Sequence, residues 1–284
     1  SLSKIRFEGM QYDDEGENIS NKNLEYCELT AQYWAWKNDD ADYYGFFHYR
    51  RYLSFKDVYP VSKEGKLLKR GYIRPYIELD NIKTDFSFWG LDEQSIEQQI
   101  CQYDLLTVLR EKIDTTVYRQ YCQYHEQKYI DMVLDILKRK YPEYQNASET
   151  YMNSKEVYYM NMYVMHRALF QEYMIWLFDI LEEFDSDIYR KGEKPTEQRL
   201  RGYLAERLFG IFYTYQRENG AKCAEVPYLK FYSTGGNDEE SQKNIREFRL
   251  KPTRLAIKID MRKLNRLFPP GTKRRIILRH IILR

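Results

Sequence analysis

Three basic side chains, His48, Arg50 and Arg51, follow directly on the apolar run 43–47. An imidazole and two guanidiniums so placed suit a pyrophosphate or a phosphorylated sugar, because Arg meets phosphate oxygens in a bidentate fork. Solvated charges at an ordinary strand end give the same pattern. A second apolar run, 103–109, ends in Arg110, Glu111 and Lys112. A third, 157–165, carries Asn161 in its middle and His166 just past its end. Ligands of open α/β sheets bind beyond the carboxyl ends of the strands, so these groups make one candidate constellation.

Glu206 is the candidate for proton transfer. On a helical wheel Leu200, Leu204, Leu208 and Ile211 form a buried stripe, and Gly202, Glu206 and Gly210 form a second line at i, i+4 and i+8. Two helix glycines cost roughly 1 kcal/mol each relative to Ala. They would strip side chains from both sides of one carboxylate, leaving a general base or a sugar-hydroxyl acceptor. Close helix packing beside a solvated Glu is the alternative. His125, four residues after Tyr121, is a second catalytic candidate, although a lone His is often structural. The stretch NISNKN places Asn18, Ser20, Lys22 and Asn23 just before a helix N-terminus. These short polar groups suit an anion or a nucleobase, or simply cap a loop. No GxGxxG, P-loop, HExxH or GxSxG motif is present.

The elements that must position these residues alternate. A helix is predicted from Leu24 through Cys27 and Ala31 to Trp34, with Asn23 as N-cap and Trp34 in the core. Phe46 and Phe47 read as core of the first strand, buried on both faces. Residues 54–100 read as a loop-rich insertion. Helices follow over 130–140, stopped by Pro142, over 170–184 and over 197–215, with a last strand at 228–232. Continuously apolar strands between helices predict an α/β domain with a mostly parallel central sheet flanked by helices. The predicted organisation is a domain over 1–234, a polar linker over 235–249 and a basic amphipathic helical tail over 250–284.

Composition narrows the partners. The 28 tyrosines explain how a chain that is 43% hydrophobic has a mean hydropathy of -0.74. Such rings can stack on sugars, and an AT-rich genome gives the same excess. From 250 to 284, eleven Lys or Arg face one Asp, whereas the whole chain carries only +2, so the body is acidic. That body disfavours nucleic acid, and the tail suits an anionic membrane surface. Cys27, Cys101, Cys122 and Cys223 are scattered without CxxC spacing. They speak against a zinc site and for a reducing compartment. No apolar run approaches the roughly 18 residues that span a bilayer, and no signal peptide is visible. The expected location is cytoplasmic, peripheral on the inner face of the plasma membrane. The chain opens on Ser1 rather than Met, as an excised piece would.

The stretches NISNKNLEYCELTAQYWAWKN, DADYYGFFHYRRYL, YYMNMYVMHRALFQEYMIWLFDIL and RGYLAERL resemble, in that order, a family of bacterial capsular and exopolysaccharide glycosyltransferases long known only as a domain of unknown function. The resemblance spans roughly residues 16–215. It implies a GT-A-like fold and sugar transfer from a nucleotide donor; some members are linked to galactofuranosyl transfer. GT-A enzymes keep an Asp-x-Asp metal motif where this chain has His48-Tyr49-Arg50, and Asp39, Asp40 and Asp42 lie at the wrong end of the strand to replace it. Donor binding is therefore expected to be metal-independent, with no cofactor, and Mg²⁺ or Mn²⁺ only if the diphosphate site is metal-assisted. The Asn-containing third strand is similar to that of glycogenin-like transferases, and GYLAERL falls where those enzymes keep an acid near the sugar. Only 42 residues precede Tyr43, which leaves the family's usual first strand unaccounted for.

The resulting expectation is a hexosyltransferase moving galactose or galactofuranose from a UDP-sugar to a glycan or lipid-linked glycan acceptor, with inversion. Glu206 is its base, with His125 as the further catalytic candidate. Asn18, Ser20, Lys22, Asn23, His48, Arg50, Arg51 and Asn161 are expected to bind the donor, and no residue to bind metal. The alternative is a non-catalytic carbohydrate-binding module.

Overall fold

In the computed structural model the described residues are 9–48, 50–56, 68–69, 72–73, 76–80, 85–193 and 195–232. The expected linker and basic tail lie outside them. In chain order the elements begin with helices α1 (Asn23–Tyr26) and α2 (Leu29–Asn38), then strands β1 (Tyr43–Phe46), β2 (Arg51–Leu53), β3 (Leu68–Lys69), β4 (Tyr72–Ile73) and β5 (Tyr76–Asp80). Helix α3 (Glu93–Ile100) leads to β6 (Leu105–Val108) and β7 (Glu111–Lys112), followed by α4 (Val117–Tyr124), α5 (Gln127–Lys140) and α6 (Gln145–Asn153). Strands β8 (Glu156–Val157) and β9 (Tyr163–His166), helices α7 (Arg167–Arg190) and α8 (Leu200–Glu218), and strands β10 (Cys223–Val226) and β11 (Tyr228–Tyr232) complete the fold.

The central sheet has the order β1-β9-β6-β10. β6 and β10 pair in parallel, and β9 runs antiparallel between β1 and β6. Three strands thus point one way and one points back, within an α/β arrangement whose helices pack against the sheet: α7 on β1 and β9, α8 on β10. Eleven residues of α7 are buried, among them Phe170, Tyr173, Met174, Leu177, Phe178, Leu181 and Phe184, which recur at helical spacing as one stripe. A second sheet, β2-β11-β5, extends from the hairpin after β1.

Five expectations change. β1 is an edge strand of its sheet, and Phe47 lies just beyond it with 39% of its surface exposed. The first predicted helix is broken in two at Cys27, whose φ of 52° no right-handed helix accommodates. Asn23 is not an N-cap; its side-chain amide donates to Cys27 O and Thr30 Oγ1, tying α1 to α2 across the break. Trp34 is only partly buried, and its indole N–H donates to Glu15 O. The predicted third strand also divides, into β8 and β9, because Met160 and Asn161 both take positive φ (81° and 46°). No helix among the described residues is long and apolar enough to cross a membrane.

Candidate active site

The reversed strand decides what meets at the carboxyl edge of the sheet. Phe46, the last residue of β1, pairs with Tyr163, the first of β9. Residues just before β9 therefore lie beside residues just after β1. Asn161 belongs to this approach rather than to a strand. His166 is moved to the opposite edge, paired with Tyr43, where its side chain caps α7 by accepting from Ala168 N. Arg167 beside it is held by Asp40 and Asp42, so those acids do sit at the wrong end of β1 to serve its carboxyl edge.

Met160 joins two of the candidates. Its N–H donates to Glu206 Oε1 at 2.8 Å, and its carbonyl accepts from His48 Nε2 at 3.0 Å. A carbonyl can only accept, so His48 Nε2 carries a proton, and Nδ1, the nitrogen left for a ligand, donates to an anion only in the doubly protonated ring. Asn161 serves a second acid. Its Nδ2 donates to Glu28 Oε1 at 2.8 Å and to Gly202 O at 3.3 Å, while its own backbone carbonyl accepts from Gln32 Nε2 at 3.3 Å. Behind it, Tyr163 donates to Gln32 Oε1 at 2.9 Å. Asn161 is 2% exposed and its Oδ1 has no hydrogen-bond partner. Leaving such an atom unpaired costs about 1–3 kcal/mol. Turning the amide over would bring Oδ1 against two acceptors, so this orientation is fixed.

Cys27, Met160 and Asn161 are the non-glycine residues with positive φ among the described residues, and all three lie at this site. Backbone strain of that kind costs on the order of 1–3 kcal/mol per residue and persists where the surroundings impose it.

Glu206 is nearly enclosed, with a side chain 15% exposed. Burial pushes its carboxyl up to about 7, with nearby Glu28 adding to the rise, while Arg207, the Met160 N–H and Arg199 hold it down. Arg207 is itself buried: its Nη1 lies 3.5 Å from Glu206 Oε2, its Nη2 donates to Gln120 Oε1, and its Nε has no partner. A carboxyl with such a value exchanges protons near neutrality, as a general base must.

An open groove of about 650 Å³ lies beside this network, lined by Asn23, Cys27, Glu28, His48 and Arg199 among others, while Glu206 itself is not in its lining. Arg199 Nε donates to Cys27 Sγ at 3.3 Å. Among the described residues no group of His, Cys, Asp and Glu side chains has a metal-holding arrangement. What the lining offers is an imidazole and a guanidinium, which suit phosphate oxygens, beside carboxylates, which suit sugar hydroxyls.

The remaining candidates divide. Asn18 folds onto its own loop, accepting from Ser20 N and Oγ and donating to Gly16 O, which accounts for Asn18 and Ser20 as turn chemistry. Lys22 lies 5.4 Å from the Tyr26 ring centroid. Arg50 occupies the tight turn between His48 and Arg51, and Arg51 enters β2, where it pairs with Lys230 of β11; neither lines the groove. Arg110 is engaged by Glu156 and Glu225 and is not a free phosphate ligand. His125 is held by Glu197, 2.6 Å from its Nδ1, between the rings of Tyr121 and Tyr203. The glycines of α8 pack rather than open a path: a Cβ at Gly210 would come 2.0 Å from Tyr151 Cζ, and one at Gly202 would meet Cys27 Sγ at 3.4 Å. Sequence reasoning missed Glu28, Arg199 and Gln32. Glu28 stood inside what read as one continuous helix, where nothing marks the break that turns it toward the groove.

Over residues 1–218 the chain matches the family model described as a domain of unknown function, DUF4422. The chain belongs to that family. No curated protein matches it. Among solved structures this DUF4422 chain is similar to the WbbM bifunctional glycosyltransferase in its apo form, with 32% identity and a TM-score of 0.67. The similarity covers 78% of this chain and 39% of that one, so the DUF4422 chain spans well under half of that enzyme. The glycosyltransferase-like α/β fold expected from the resemblance is therefore the fold this chain has.

Proposed function

We propose that the chain is a glycosyltransferase that moves a hexose, galactose or galactofuranose, from a UDP-sugar to a glycan or lipid-linked glycan of surface-polysaccharide assembly. The observation that carries the reading is Glu206, a carboxyl lifted to about 7 and tied through the Met160 backbone to His48, which lines the groove with Arg199. Likeness to a glycosyltransferase at 32% identity supports the reaction class.

In this reading Glu206 takes the proton of an acceptor hydroxyl, and that oxygen attacks the anomeric carbon with inversion. The bond between that carbon and the diphosphate oxygen breaks, and the negative charge gathering on UDP meets His48 and Arg199. Arg50 and Arg51 would reach the same diphosphate only from the neighbouring hairpin. His48 stands where an Asp-x-Asp motif would hold a hard cation through carboxylates, and the groove's own carboxylates are assigned to sugar hydroxyls, so the transfer is proposed to run without metal.

Turnover assayed with a panel of UDP-hexoses and an oligosaccharide acceptor tests this. Glu206→Gln is expected to lower kcat at least about 100-fold with little change in KM, and wild-type activity is expected to survive EDTA. Full turnover by the Gln variant would remove the base. Loss in EDTA with rescue by Mn²⁺ would remove the metal-free site.

A further inference from the structure

Glu28 is the best-supported side chain of the groove for which the proposed transfer has given no role. It stands at the N-cap position of α2, yet its side chain makes no capping hydrogen bond there, and the first N–H groups of the helix turn instead to the Cys27 and Glu28 carbonyls. One of its oxygens is instead taken by Asn161 Nδ2. Three buried donors follow one another toward it: Tyr163 to Gln32, Gln32 to the Asn161 carbonyl, and the Asn161 amide to Glu28. They come from β9, from α2 and from the turn before β9, and buried polar networks of this kind fix geometry. The left-handed turn at Cys27 sets the direction in which Glu28 leaves the chain. Its second oxygen takes part in no hydrogen bond or ion pair among the described residues, and Glu28 lines the groove beside His48 and Arg199.

We propose that Glu28 is the specificity-determining carboxylate of the groove, whose oxygen not held by Asn161 accepts a hydroxyl hydrogen bond from the hexose of the nucleotide-sugar donor. This rests on reading the groove as a glycosyl-transfer site. A diphosphate held by His48 and Arg199 leaves its hexose beside the carboxylates, and Glu206 is committed to the proton of the acceptor. A carboxylate with one oxygen clamped presents the other in a fixed direction. It therefore discriminates a donor that has a hydroxyl there from one that lacks it.

The test pairs the side chain with the hydroxyl. Binding of UDP, of UDP-glucose and UDP-galactose, and of their 2-, 3-, 4- and 6-deoxy analogues is measured by calorimetry on the full chain, for wild type, Glu28→Gln and Glu28→Ala. Wild type is expected to prefer the parent sugar over one deoxy analogue by about tenfold or more. In Glu28→Ala that preference collapses to about onefold while UDP alone binds as before, and Glu28→Gln falls between. A preference kept in Glu28→Ala at every hydroxyl overturns the assignment, and so does an equal loss of UDP and UDP-hexose affinity, which marks a structural role. Wild type that binds UDP and no UDP-hexose also overturns it, leaving the nucleotide site standing. Failure to bind UDP at all overturns the reading of the groove itself.

Discussion

At the scale of single residues, Glu206 has consequences for stability as well as for the proposed transfer. Its folded value of about 7 lies above the ordinary 4.5 because burial disfavours the ionised form. The fold therefore favours the protonated carboxyl. Whatever stability this contributes is whole below pH 4.5 and is lost as the pH rises toward 7. Above that range the protein carries a poorly solvated charge costing on the order of 3 kcal/mol. Gln keeps the acceptor that Met160 N–H needs and carries no charge. Glu206→Gln is accordingly expected to melt several degrees above wild type at pH 8.5, with the difference vanishing near pH 4.5. Equal melting temperatures at pH 8.5 would contradict the burial argument. The sequence showed Glu206 through its flanking glycines, although the glycines serve packing and not access. It could not show Glu28, because a left-handed cysteine between two helices carries no Gly or Pro to announce itself.

At the scale of elements, α8 and β9 carry the site. The Gly210 position on α8 seats the Tyr151 ring of α6, and Tyr151 OH accepts from Tyr158 N on the way to Met160. Gly210→Ala forces that ring to move in a packed core. It is expected to cost about 1–3 kcal/mol in urea unfolding, and to weaken the Met160 clamp on Glu206 without touching the groove. An unchanged unfolding midpoint would show that Tyr151 yields freely. Helices α5 and α7 were legible because their apolar residues recur at a fixed period, a purely local signal. The direction of β9 was not, because its three buried residues look alike whether a strand runs up or down. Its reversal placed Asn161 at the site and took His166 away. Strand β10 was also missed: its Glu225 breaks the apolar run in order to hold Arg110.

At the scale of the whole molecule, the family match ends at residue 218, and the chain covers 39% of the solved enzyme it is similar to. The basic segment 250–284, outside the described residues, is proposed to hold the protein to anionic lipid through its alternating cationic and apolar groups. Sedimentation with phosphatidylglycerol liposomes is expected to capture the full chain and to release it in high salt, and to leave a variant ending at 249 in solution. Equal capture of both would rule out anchoring by the tail.

The three left-handed residues also say where this chain has been kept from being as durable as it could be. Met160 contributes only its backbone N–H and carbonyl to the clamp, and glycine would supply both without strain. A random library screened for survival after heating, with no knowledge of donor or acceptor, should therefore gather substitutions at 27, 160 and 161. Survivors changed there should transfer sugar poorly. Heat resistance alone would then draw the outline of the active site, and an even scatter of survivors over the surface would show that these positions carry no such compromise.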